Sequence, residues 1–155
     1  MSTGVLMFLM MVSVSFAQQT GQQQQQNMQQ RMQQQMQQMQ QMMQNMDQLM
    51  QRTQNMNQEM NRQMKQLQDE QMQNQYRMMN RFNEQMQMTL GTMKNAAERA
   101  NQILQDRDMM RDRDMQRDMD HIRQHLNDMT GQMGDAVKTM ERINQRLRDH
   151  QSETR

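Results

Sequence analysis

From Met28 to Leu67 an apolar residue returns every three or four positions. The ladder runs Met28, Met32, Met36, Met39, Met43, Met46, Met50, Met56, Met60, Met64 and Leu67, with Thr53 filling its one polar step. Eleven steps over 39 residues average about 3.55, between the roughly 3.5 of a coiled coil and the roughly 3.6 of a straight helix. Gln, Asn, Arg and Glu fill the positions between, Met and Gln both favour helix, and the chain contains no Pro to interrupt them. The spacing therefore predicts a long amphipathic helix with a thioether seam. A less regular continuation passes through Met78, Phe82, Met86, Leu90, Met93, Ala97, Ala100 and Leu104. A second ladder follows at Met115, Met119, Ile122, Leu126, Met129, Met133, Val137, Met140, Ile143 and Leu147.

The seam uses methionine because little else is present. After Ala17, Leu, Ile, Val and Phe fill only 11 of 138 positions, too few for a globular interior of the usual kind. A chain like this has the makings of an apolar stripe and not of an enzyme. Eighteen basic residues against 17 acidic ones leave a formal charge of +1, which provides no cationic face for phosphates. Beyond Phe16 only Tyr76 and Phe82 are aromatic, so base stacking has no platform and nucleic acid is not an expected partner. The absence of Cys removes disulfides, thiolate metal sites and thiol nucleophiles together.

At the N-terminus, Val5 to Val14 is a ten-residue apolar run broken only by Ser13, and Ser15-Phe16-Ala17 then places small residues where a signal peptidase reads them. The run is shorter than the ~20 apolar residues of a membrane-spanning helix. Residues 1–17 thus read as a signal peptide, and the destination as the periplasm or the exterior, with no transmembrane segment in the mature chain. Residues 18–27 form a Gln-rich stretch expected to be a disordered leader, residues 28–90 the Met/Gln-rich helix, and residues 91–155 a second helical arm ending in a frayed C-terminus. The segment Asp106 to Asp114 loses the seam, since Asp108 and Asp112, like Arg107 and Arg111, repel at i,i+4. It reads as exposed, bent helix. Gly91 divides the helical zone into nearly equal halves, with Thr92 placed to cap a returning helix. The expected fold is all-α, with long amphipathic helices forming a coiled coil as an antiparallel helical hairpin turning at Gly91. The alternative is a single long rod. Either form leaves the Met/Leu seam open on one side, so a homo-oligomer through that seam is expected.

Two groups carry candidate chemistry. Met39, Met42, Met43, Met46 and Met50 are the densest thioethers, and spacings of three and four bring their Cβ atoms to within about 5–6 Å on one helix face. Thioether sulfur is a soft donor that selects Cu(I) or Ag(I). It is also an adaptable packing group in place of Leu, and a reversible acceptor of oxidant. His121 and His125 stand at i,i+4, the spacing with which one helix offers two imidazoles to a divalent ion. They flank the seam, and solvated side chains are the simpler reading. The acidic cluster from Asp106 to Asp120 lacks the Gly and the terminal Glu of a calcium loop. In composition the chain is similar to Met-rich exported proteins that handle copper or silver, a likeness that transfers no site. The Leu-Thr-x-x-Gln repeat of the small periplasmic envelope-stress chaperones is missing. The expected function is that of an exported, non-catalytic coiled coil with a structural or protein-interaction role and no cofactor. The alternatives are Cu(I) or Ag(I) sequestration by the methionines, and a holdase-like chaperone using a flexible Met surface.

Overall fold

The computed structural model describes residues 12–153, and among them every regular element is helical. α1 spans Val12–Met64, α2 Glu70–Gln105 and α3 Arg113–Glu153, with a single 3-10 turn at Met109–Arg111 between the last two. At a rise of about 1.5 Å per residue, the 53 residues of α1 extend roughly 80 Å. No described helix is long and apolar enough to cross a membrane.

Cross-helix contacts give the directions. Lys94 reaches Asp47, Asn83 reaches Thr53 and Asn57, and Asn80 reaches Asn61, so α2 runs back along α1. Gln116 meets Met28, Gln35 meets Asp120, Arg52 meets Glu141 and Arg148 meets Glu59, so α3 runs again in the direction of α1. Each helix packs against both others.

The sequence places the two reversals elsewhere than at Gly91. Residues 65–69 make the first, and they contain neither Gly nor Pro. Gln66 and Leu67 donate their N–H groups back to the carbonyls of Gln63 and Met64, tightening the last turn of α1. Asp69 then accepts the Met72 N–H at 2.8 Å and caps α2, with Glu70 in its first turn. The second reversal is the aspartate-rich segment expected to be bent helix. Asp106 Oδ1 accepts the N–H groups of Asp108 and Met109, and Asp112 Oδ1 accepts that of Asp114 at the start of α3. Short carboxylates compete with the helix for its own amides, and here they win. Asp108–Arg111 and Asp114–Arg117 pair at 3.1 and 3.2 Å.

Gly91 is an interior residue of α2 with no unusual φ, and the Thr92 hydroxyl donates to the Met88 carbonyl within the helix instead of capping a new one. The two-arm hairpin and the uninterrupted rod are therefore both replaced by three helices. A Cβ built at Gly91 meets nothing within 4 Å. Gly91→Ala should accordingly raise stability by up to about 1 kcal/mol, because an interior helical Gly costs that much relative to Ala. The expected gain in melting temperature is about 2–4 °C; an unchanged or lower midpoint would mean that the helix bends there in solution.

The N-terminal expectations meet the structure only in part. Residues 1–11 of the segment read as a signal lie outside the described residues, and Val12 onward belongs to α1. Residues 18–27, read from the sequence as a disordered Gln-rich leader, have helical backbone within α1. Without Pro, and with Gln as a good helix former, nothing in that stretch stops a helix propagated from Met28. At the other end α3 extends to Glu153, and the last two residues of the arm expected to fray lie outside the described residues.

Burial follows a strict alternation of three and four. On α1 the buried positions are Met32 and, seven residues on, Met39, Met42, Met46, Leu49, Thr53, Met56, Met60 and Gln63. On α2 they are Asn83, Met86, Leu90, Met93, Ala97, Ala100 and Leu104, with Tyr76 seven residues before. On α3 the buried row steps through Leu126, Thr130, Val137, Met140 and Asn144, with Met133 and Leu147 half-buried between and beyond them. Three helices thus close one seam. Much of the Met/Leu stripe is covered within the chain.

Candidate functional site

On α1 the apolar face is three rows wide, as suits a helix with two neighbours. Met39 and Met46 lie in one fully enclosed row, Met42 and Leu49 in the next, and Met36, Met43 and Met50 form a third that is half-buried at the rim. The five clustered methionines are therefore divided: Met39, Met42 and Met46 are core, while Met43 and Met50 sit on its edge. The Lys94–Asp47 pair at 2.6 Å sets the level of α2 here. It brings the small side chains Ala97 and Ala100 to the level of Met42 and Met39, leaving volume that long thioethers fill. Hydrogen bonding to Asp47, followed by its charge, raises the Lys94 pKa.

His121 and His125 stand on the exposed side of α3, with Met129 one turn further on, also exposed. Asp118 and Asp128 beside them are exposed too. Among the described residues, no three His, Cys, Asp or Glu side chains converge as a ligand set.

The α3 seam keeps Met115, Met119, Leu126, Met133, Val137, Met140 and Leu147 of the ladder read from the sequence and leaves it at three steps. Ile122, Met129 and Ile143 are 42%, 42% and 39% exposed, and the positions after them, Arg123, Thr130 and Asn144, face inward. Two of these three polar groups have partners that make them tolerable. Arg123 donates to Gln38 at 2.6 Å and pairs with Asp120, and the Thr130 hydroxyl donates to the Leu126 carbonyl at 2.7 Å. The displaced row of Ile122, Met129, Ala136 and Ile143, spaced by sevens, is left along the outer side of α3. Where it approaches Met78 and Phe82 of α2 it lines an apolar groove of about 590 Å³. Sequence reasoning missed this groove. The signal available was that the α3 apolar residues are too many for one seam and recur at seven-residue steps outside it.

Two polar arrangements mark the half of the bundle nearer the first reversal. Asn83 is fully enclosed, and its amide donates to the Thr53 carbonyl at 2.6 Å and to Asn57 Oδ1 at 2.7 Å. At the end itself, Glu59 accepts from Gln63 at 2.9 Å and lies 3.6 Å from Arg148. The enclosed Tyr76 phenol nearby is pushed up in pKa by burial; the charge of Arg148 opposes this and that of Glu59 adds to it. Midway along, Arg52 holds Glu141 through two bonds of 2.9 and 2.6 Å, which raise the Arg52 pKa against partial desolvation. These contacts join α1 to both of its partner helices. No protein-family model matches this chain, and neither a curated protein nor a solved structure does.

Proposed function

We propose that the chain is an exported, non-catalytic coiled-coil protein with a structural or protein-interaction role, its three helices packed as a Met-rich seam in heptad register. The observation that carries this reading is the use of the thioethers: Met39, Met42 and Met46 fill core positions with the alternation of a packing seam. Support for an interaction role comes from the uncovered row on α3 and its groove against Met78 and Phe82, since contiguous exposed apolar surface is characteristic of contact sites. Self-association, on this reading, uses that strip and not the internal seam. Export rests on the Val5 to Val14 run and Ser15-Phe16-Ala17, with the periplasm or the exterior as destination.

Cu(I) or Ag(I) binding is the second reading, favoured by the rim row Met36, Met43 and Met50. Seven residues of helix separate its members by about 10.5 Å, so an ion would have to draw Met39 or Met46 out of the core to complete a soft site. Melting curves with and without Ag(I) distinguish the two. For a packing seam, silver leaves the midpoint of the wild-type chain unchanged. The variant with Leu at positions 39, 42, 43, 46 and 50 then melts at the same temperature or above, because Met and Leu are nearly equal in volume. A silver-induced rise in the wild type that vanishes in the five-Leu variant would establish the metal reading instead.

A further inference from the structure

The described methionines range from fully enclosed through half-buried to exposed. Met39, Met46 and Met60 are fully enclosed, whereas Met78, Met88, Met109 and Met129 are 65%, 67%, 48% and 42% exposed. The exposed four contribute to none of the buried rows. Met88 lies on the outward side of α2 between the exposed Gln85 and Gly91-flanking turn of the helix, Met109 occupies the second reversal, and Met78 and Met129 border the α2/α3 strip. Exposed positions on such helices are ordinarily polar, and in this chain Gln is the abundant alternative.

We propose that Met78, Met88, Met109 and Met129 are a modification site for two-electron oxidants of the hydroperoxide class, able to take one oxygen each while the fold stays intact. The sulfur lone pair attacks the outer oxygen of hydrogen peroxide. The S–O bond forms as the O–O bond breaks, and the departing hydroxide takes the remaining proton to leave as water. Sulfur is oxidised by two electrons, peroxide is reduced by two, and the thioether becomes a sulfoxide. At these four positions the new dipole is directed into water and costs little. At Met39, Met46 or Met60 it would be a polar group enclosed without a partner, a state that destabilises strongly. Those core sulfurs meet peroxide only when the bundle opens, so they react on the timescale of opening and not of collision. In a chain with no Cys, the outer thioethers are the first sulfur an oxidant meets, and they intercept it before the core is damaged. Met88 and Met109 lie off the α2/α3 strip, so at those two positions the inference holds even where self-association covers the strip.

The test is a time course of the full chain in hydrogen peroxide, with peptide mapping by mass spectrometry and circular dichroism on the same samples. Oxygen should accumulate at the four exposed methionines about tenfold or more faster than at Met39, Met46 and Met60, with helicity unchanged during that phase. In urea the difference should vanish. A Met78→Leu/Met88→Leu/Met109→Leu/Met129→Leu chain should keep its helicity and lose the fast phase. Core and surface sites oxidising together in buffer would overturn the proposal. So would loss of helix during the first uptake, or a fast phase that persists undiminished in the four-Leu chain.

Discussion

Met46→Ala should cost the folded chain about 2–5 kcal/mol, whereas Met43→Ala, three positions away, should cost under about 1 kcal/mol. The two differ by one row of α1. Met46 is fully enclosed and Met43 half-buried at the rim. Truncating Met46 removes three heavy atoms from a fully enclosed site, where the surroundings relax only in part. A domain of this size has only about 5–15 kcal/mol in total, so the Met46 variant should unfold at a much lower urea concentration with a similar slope. Urea titrations followed by circular dichroism supply the comparison. Equal losses for the two variants would show that the three-row face is not the packed face in solution. A gain in silver affinity or helicity on removing Met46 has no place in this structure.

Asn83→Asp should be the most damaging polar change, at about 3–5 kcal/mol at neutral pH. Asn83 donates to two oxygens, the Thr53 carbonyl and Asn57 Oδ1, from a fully enclosed position. A carboxylate there can donate to neither, and its charge is buried facing lone pairs. Both effects raise the pKa of the introduced carboxyl in the folded state above its unfolded value of about 3.9. A raised folded pKa means that the folded form is favoured below the unfolded pKa and loses that advantage as pH rises through the folded value. The gap between wild type and variant should therefore be smallest near pH 4 and widen toward pH 7. A gap independent of pH would indicate that water reaches position 83. The same two hydrogen bonds explain why a repetitive Met/Gln chain adopts one register. A core of interchangeable methionines could slide by a heptad at little cost, and a buried amide with a specific carbonyl partner penalises the slide.

Helix was legible in the sequence because the period of the ladder is a property of the chain and survives any packing. The phase of the ladder was legible only where one row alone is apolar. On α1, Met42 and Met43, like Leu49 and Met50, are adjacent apolar residues, and periodicity cannot decide which of a pair points to the centre. On α3 the inward positions Arg123, Thr130 and Asn144 are polar while Ile122, Met129 and Ile143 next to them are apolar. A hydrophobicity walk is drawn to the wrong neighbour, because Arg123 finds its partner Gln38 on another helix and Thr130 bonds to the Leu126 carbonyl one turn back. The reversals were misplaced for a related reason. Gly91 has the residue type of a turn and none of the backbone need, whereas residues 65–69 turn without Gly or Pro through the Asp69 cap. The candidate methionines were found as a group, but their division into core and rim depends on how many helices cover them, which a single ladder does not encode.

An odd number of antiparallel passes has a mechanical consequence. Since α3 follows the direction of α1, Val12 and Glu153 lie at opposite ends of the long axis. Tension applied across those two points would pull the helices past one another lengthwise. Every step of the seam, together with the Arg52–Glu141 and Arg148–Glu59 links, would then resist at once, where a two-helix hairpin pulled from adjacent ends would peel open one contact at a time. Lengthwise tension on such a fold would be met in shear.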